Sequence, residues 1–404
     1  MKYLPEEILE YVQEEDIKFI RLAFCDVFGR QRNIAVMPGE LPRAFESGIA
    51  IDASAIPGFG GEVRSDLFLH PDPSTLARLP WRPESGGVVR MFCDVTYPDG
   101  TGFECDTRTL LRRAARAAEE AGLFFSFGPE MEFYLFRNDE NGDPTRIPAD
   151  RAGYMDIAPE DRGENVRRDI CLTLEKMGIQ PESSHHEEGP GQNEIDFRHS
   201  DPLSAADNTV TFRSVVQTIA VRNGLTADFS PKPLPDEPGS GMHVNFSVQG
   251  EGDPLPHVIA GILEHVRDMT VFLNPSAASY ERLGVRKAPR YVTWSEENRS
   301  QLIRIPAAPD GNHRAELRSP DPTANPYLAL ALLIRVGLEG VEAAMPLPEP
   351  ADLNTFTAAE KRLAGYRTLP SSLREAAVCA EGSAFIRRYL PEEILRAYYD
   401  RSKK

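Results

Sequence analysis

Two glutamates stand two residues apart inside an apolar strand pattern. In the stretch 127–136 (FGPEMEFYLF), side chains alternate along the strand, so Glu130 and Glu132 point to one face. Two carboxylates side by side among aromatics are costly unless cations neutralise them. A hard divalent metal with oxygen ligands is a physical reason for such a pair. An exposed acidic face is the other reading, and it arises easily in a chain with 62 acidic residues.

Four further segments carry similar potential. Residues 181–196 (PESSHHEEGPGQNEID) combine two histidines and four glutamates with a Gly-Pro-Gly turn tight enough to let Glu187 and Glu194 converge. Residues 238–247 (PGSGMHVNFS) put His243 on a strand entered through a glycine turn. Residues 313–321 (HRAELRSPD) set Arg314, Glu316 and Arg318 on one strand face as cation, anion, cation. Residues 298–306 (NRSQLIRIP) add Arg299 and Arg304, and Arg282 ends the upstream SYER. Guanidinium groups grip carboxylates and phosphates in bidentate fashion, although a solvated loop and a surface salt-bridge ladder would read the same. Together the segments equip a magnesium-dependent phosphoryl transfer from a nucleotide. No Walker loop, kinase glycine loop or dinucleotide fingerprint in a strand–helix setting is present.

The elements that must position these groups follow from periodicity. Strands are expected at 124–136, 191–197, 241–248 and 315–317. Helices are expected around Val166, Ile170 and Leu174, and at 210–221, 258–272 and 326–344. Before them come a first helix carrying Ile8, Tyr11 and Val12 and strand-like runs at 19–24 and 88–92. The turn 97–102 (YPDGTG) precedes a helix capped by Asp106, with apolar positions Leu110, Leu111, Ala114, Ala118 and Ala121, and ended by Gly122. This ordering is α+β, with a boundary near residue 100.

Composition bounds the class. A chain of 404 residues, 41% hydrophobic and 26% charged, buries a large core. With Lys and Arg at 45 against 62 acidic residues, the formal charge of −17 argues against general nucleic-acid or anionic-membrane partners. Cys25, Cys93, Cys105, Cys171 and Cys379 are scattered without CxxC spacing, which fits a reducing cytoplasmic setting. The acidic amphipathic start and a longest apolar stretch of only 327–334 predict a soluble protein without a leader or spanning segment.

In this order, the segments resemble the glutamine synthetase family from Phe19 through the stretch 369–376 (LPSSLREA). Further matches are 51–59 (IDASAIPGF) with Ser65 and Asp66, 231–233 (PKP) and 325–328 (NPYL). The resemblance implies an N-terminal β-grasp domain, 1–100, and a catalytic domain, 101–404, whose curved antiparallel sheet is flanked by helices. It implies Mg²⁺ or Mn²⁺ held in two positions, Glu132, Glu187 and Glu194 at one and Glu130, His243 and Glu316 at the other. ATP contacts would be Glu182, Asn245, Ser247, Arg299, Arg304 and Arg314, and glutamate contacts Gly239, Arg282 and Arg318. Asp52 and Tyr154 would form the amine site, with Asp52 supplied by a neighbouring chain in a homo-oligomer of six-membered rings, usually two stacked. ATP would phosphorylate the γ-carboxylate of glutamate, and ammonia or a primary amine would attack the acyl phosphate, with Arg299 aiding the transfer.

The sequence departs from that family at the amine end. The loop 284–289 (GVRKAP) is one residue short, and Lys287 stands where ammonia-using members carry a glutamate. Pro238 replaces an asparagine, 52–55 reads DASA instead of DGSS, and Phe356 lies near where an adenylylated tyrosine is expected. A cation beside ammonium is unfavourable. These departures point to a γ-glutamyl-amine ligase, with ordinary glutamine synthetase and a non-catalytic structural or regulatory relative as the alternatives.

Overall fold

The computed structural model describes residues 3–60, 65–82, 85–308 and 313–403. Helix α1 (Pro5–Glu14) buries Ile8 and Val12. Five strands then form one mixed sheet in the order β2-β1-β6-β4-β3, built from β1 (Ile17–Cys25), β2 (Gln31–Val36), β3 (Ile49–Asp52), β4 (Asp66–Pro71) and β6 (Gly87–Thr96); the short β5 (Ala77–Arg78) joins β6. Strands β1 and β6 run parallel, and α2 (Leu41–Ser47) leads into β3. This is the β-grasp sheet.

Helix α3 (Thr107–Glu120) starts as its sequence predicts. The Asp106 carboxylate accepts the Arg108 N–H at 3.1 Å, and Leu111, Ala114 and Ala118 turn inward. Its second residue does more than propensity suggests. The buried Arg108 guanidinium binds Asp207 with two nitrogens, at 3.0 and 2.9 Å, and also reaches Asp72 and Asp94, both at 2.9 Å. One cation on α3 thus ties strand β6, through Asp94, and the segment after β4, through Asp72, to helix α5, through Asp207.

The second sheet runs β13-β14-β15-β12-β7-β10-β9, with β8 and β11 also paired to β7. Its strands are β7 (Phe124–Asn138), β8 (Pro144–Pro148), β9 (Pro181–His186), β10 (Gln192–Phe197), β11 (Leu225–Asp228), β12 (Met242–Gln249), β13 (Trp294–Glu296), β14 (Ile303–Ile305) and β15 (Ala315–Leu317). All pairings are antiparallel except β13 with β14.

Strand β7 is the axis, and its alternation separates core from chemistry. Met131, Phe133 and Leu135 are fully buried. Phe133 meets Phe212 of α5 (Pro202–Arg222) edge-on at 6.2 Å. Each such ring stabilises the fold by about 1.5–3 kcal/mol when fully buried. Helix α5 begins earlier than the expected 210 because Asp201 caps it, accepting the Leu203 and Ser204 N–H groups.

Helix α4 (Glu164–Lys176) packs by β9, and α7 (Ala277–Arg282) carries Arg282. Helices α6 (Leu255–Leu273) and α8 (Pro326–Glu342) cross so closely that a Cβ on Gly261 would lie 2.2 Å from the Val336 carbonyl, and one on Gly340 2.1 Å from that of His257. The apolar run 327–334 is buried within α8, and among the described residues no helix is long and apolar enough to cross a membrane. The chain closes through α9 (Glu360–Leu363), α10 (Leu373–Gly382), α11 (Ala384–Tyr389) and α12 (Glu392–Arg401).

Candidate active site

Strand register converts distant sequence segments into one cluster. On β7, Glu130 lies opposite His243 of β12 on one side and Asp196 of β10 on the other, while Glu132 lies opposite Glu194. Glu316 of β15 pairs with Asn245, the next same-face residue after His243. Cross-strand partners on one face come within side-chain reach. His243 therefore sits among three carboxylates, its Nδ1 3.7 Å from Glu130 and 3.6 Å from Glu316, its Nε2 3.8 Å from Glu132. The Gly-Pro-Gly turn brings Glu187 to the same place, where His185 Nε2 lies 2.9 Å from Glu187 and 3.8 Å from Glu194.

The donor set fits divalent cations. Glu130, His243 and Glu316 offer ligand atoms mutually within 4.8 Å, as do Glu132, Glu194 and His243, and His185, Glu187 and Glu194. Carboxylates with one imidazole suit Mg²⁺ or Mn²⁺. Like charges without counterions resist ionisation, and the pKa values follow. Burial, and then the Glu132 carboxylate, push Glu194 well above the usual carboxylate range. Burial also raises Glu132 against the opposing pull of His243, and burial with Glu130 lifts Asp196 to about 6. One Asp196 oxygen is buried without a hydrogen-bond partner. At Glu187 burial acts upward, but the hydrogen bond from His185 outweighs it. At Glu316 burial is overcome by His243, Arg318 and Arg304, holding the carboxyl down at about 2.

A cavity of about 1300 Å³ opens over this face, and beside the carboxylates it is lined by Arg282, Arg299, Arg304, Arg314 and Arg318. Arg304 donates to Glu316 at 2.7 Å and Arg318 at 3.2 Å, so Arg304, rather than Arg314, partners Glu316. The β14–β15 register places Arg304 directly opposite Glu316. Arg282 is held by the carbonyls of Ser319 and Arg318, at 2.8 and 3.2 Å. Gly239 leaves the room Arg282 needs, since a Cβ there would lie 2.8 Å from its side chain and 2.4 Å from the Pro231 carbonyl. Asn245 donates to Glu130 at 2.6 Å.

At the cavity mouth, Tyr154 meets His185 edge-on at 5.5 Å, and the Lys287 ammonium stands 5.7 Å from the Tyr154 ring centre. Lys287 is also ion-paired with Glu188. Four expected residues lie apart from this lining: Asn245 is buried behind Glu130, and the other three stand further off. Asp52 is exposed at the end of β3, accepting the Ser54 N–H, in the other sheet. Glu182 is exposed at the start of β9, and Ser247 faces a smaller cavity with Ser126 and Glu119.

His185, Asp196 and Gln192 join the site without having been singled out in the sequence. Gln192 donates to Glu132 at 3.0 Å. The alternation of Gln192, Glu194 and Asp196 along β10 was the available signal, and only the register with β7 shows that it faces Glu130 and Glu132.

The family models for the glutamine synthetase catalytic domain and the glutamine synthetase β-grasp domain match residues 104–404 and 16–98. The chain is 45% identical to a glutamine synthetase of Methanosarcina mazei, over 97% of this chain and 92% of that protein. It is 43% identical to one of Clostridium saccharobutylicum, over 98% and 94%. Among solved structures, a GmaS/ADP complex superposes with a TM-score of 0.88 at 26% identity, covering 100% of this chain and 95% of that one. The Plasmodium falciparum glutamine synthetase, at 21% identity over 99% and 95%, shares the fold with a TM-score of 0.87.

Proposed function

Because the chain belongs to the glutamine synthetase family and is an ATP-dependent ligase joining carbon to nitrogen, we propose that it phosphorylates the γ-carboxylate of glutamate and couples it to a primary amine. The carrying observation is the register-built cluster of Glu130, Glu132, Glu187, Glu194, His243 and Glu316 beside five arginines.

A carboxylate is a poor electrophile, so it must first be activated. A γ-carboxylate oxygen of glutamate bonds to the γ-phosphorus of ATP as the bond to ADP breaks, giving an acyl phosphate. The amine nitrogen then bonds to the carbonyl carbon, inorganic phosphate leaves, and the nitrogen gives up a proton. Arg299, Arg304 and Arg314 stabilise the oxygens of the transferring group, and Arg282 and Arg318 hold the substrate carboxylates. Glu130, His243 and Glu316 would hold one divalent cation and Glu132, Glu187 and Glu194 another, which when bound draw charge from the phosphoryl oxygens. Asn245 fixes Glu130, and Glu182 and Ser247 are assigned to the nucleotide by resemblance alone. Asp52, exposed at its strand end, would reach the site of a neighbouring copy in a ring and take the amine proton beside Tyr154.

The nitrogen donor is where two readings part. The curated relatives named glutamine synthetase favour ammonia. Lys287 favours a different donor, because a cation beside Tyr154 and Glu188 disfavours the ammonium ion against a nitrogen that reaches the cavity mouth uncharged. The test is purified protein with ATP, Mg²⁺, glutamate and hydroxylamine. Glutamate-dependent release of phosphate with γ-glutamyl hydroxamate is the expected result, and no glutamate-dependent phosphate release with hydroxylamine, ammonia or any primary amine would contradict it.

A further inference from the structure

His186 lies outside the proposed ligand set, yet it is fully buried next to it. Its ring Nε2 faces Asp150 Oδ1 at 2.9 Å and its Nδ1 faces the Glu187 carbonyl oxygen at 2.6 Å. Both partners only accept, so the ring donates in both directions. The His186 carbonyl in turn accepts the Met155 N–H at 2.9 Å. Asp150 also accepts the Gly191 and Arg162 N–H groups, each at 2.9 Å, which ties the Gly-Pro-Gly turn and the far end of the 150–163 loop to the same carboxylate.

Asp150, Asp161 and His186 have residue types that bind metals and lie within 4.8 Å of one another. Their polar atoms are otherwise engaged. Arg167 pairs with Asp161 and donates to Asn193 at 2.6 Å, and His186 is spanned between Asp150 and Glu187. The trio is thus a set of internal ties, and what matters is where the ties end. One ends on the backbone of Glu187, a proposed ligand. The other ends on Met155, whose neighbour Tyr154 lines the cavity mouth beside Lys287.

We infer that His186, anchored by Asp150, is a positioning residue that holds the Glu187 backbone and the Tyr154 loop in fixed relation, coupling cation binding to the nitrogen-donor end of the cavity. The inference rests on Glu187 being a ligand, as proposed above. Groups that orient a ligand from behind typically change metal affinity 10–100-fold when removed.

The test is Mn²⁺ titration of the metal-free full-length protein by electron paramagnetic resonance, for wild type, Asp150→Asn, His186→Leu and His186→Asn. Kinetics with ATP, glutamate and hydroxylamine accompany it. Asp150→Asn and His186→Leu should weaken one of two Mn²⁺ sites at least about tenfold and raise KM for hydroxylamine while KM for ATP stays within about twofold. His186→Asn keeps an amide donor near the Glu187 carbonyl and should restore most of the Mn²⁺ affinity. The isosteric Asp150→Asn keeps the question answerable if His186→Leu does not fold. Wild-type Mn²⁺ affinity in Asp150→Asn, or KM for ATP rising in step with KM for hydroxylamine, would overturn the inference while leaving the proposed reaction standing. A wild-type chain that binds no Mn²⁺ would remove both.

Discussion

Glu132 and Gly241 hold each other reciprocally: the Gly241 N–H donates to the Glu132 carboxylate at 3.0 Å, and the Glu132 N–H donates to the Gly241 carbonyl at 3.0 Å. A carboxylate facing like charges is thereby fixed by backbone. A side chain here would displace its neighbours, because a Cβ on Gly241 would lie 2.7 Å from both Arg282 Nη2 and His243 Nε2. Gly241→Ala should cost about 1–3 kcal/mol by overpacking. It should also weaken Mn²⁺ binding more than Gly365→Ala, at an exposed turn with open space around it, does. Urea denaturation and Mn²⁺ titration of both variants check this.

The pH dependence of the metal-free protein follows from Asp196. Its pKa is lifted from 3.8 to about 6 by burial and by Glu130, and Glu132 and Glu194 are shifted the same way. A raised folded-state pKa gives stability that is complete below the unfolded value and lost as pH rises through the folded one. Metal-free protein should therefore lose thermal stability as pH rises from about 4 to just above 6. Saturating Mg²⁺ should abolish that loss, because cation binding releases those protons. Melting curves across this window, with and without Mg²⁺, would contradict the assignment if the two slopes agree.

Lys287→Glu tests the nitrogen donor. Reversing the charge beside Tyr154 should raise kcat/KM for ammonium relative to a neutral competitor such as hydroxylamine by at least about tenfold. That ratio corresponds to about 1.4 kcal/mol, within reach of a unit charge a few ångströms away near a protein surface. An unchanged ratio would show that Lys287 does not set the preference.

The Arg108 clasp makes a separate statement about stability. Arg108→Met leaves Asp207, Asp94 and Asp72 without their shared cation and should cost about 3–5 kcal/mol in chemical denaturation. Arg116→Met, on the same helix but exposed, should cost less than about 1 kcal/mol.

The sequence made the residue types legible where local geometry suffices. Alternation alone places Glu130 and Glu132 on one face, and Asp106 and Gly122 mark the ends of α3 without tertiary information. It could not reveal register. That His243 faces Glu130, that Arg304 rather than Arg314 meets Glu316, and that Asp196 and His185 join the cluster depend on strand pairings between segments far apart in the chain. The same limit hid Arg108, whose surface-favouring residue type conceals a buried role that only packing creates. The family resemblance supplied roles for Glu182, Asn245, Ser247 and Asp52, which stand outside the cavity lining of the single chain.

The most direct test is diffraction at the manganese edge from crystals grown with Mn²⁺ and ADP. Two anomalous peaks are expected, one bounded by Glu130, His243 and Glu316 and the other by Glu132, Glu187 and Glu194, with nucleotide phosphates alongside. Bound ADP with no manganese between those side chains, or manganese held elsewhere, would contradict the proposed chemistry.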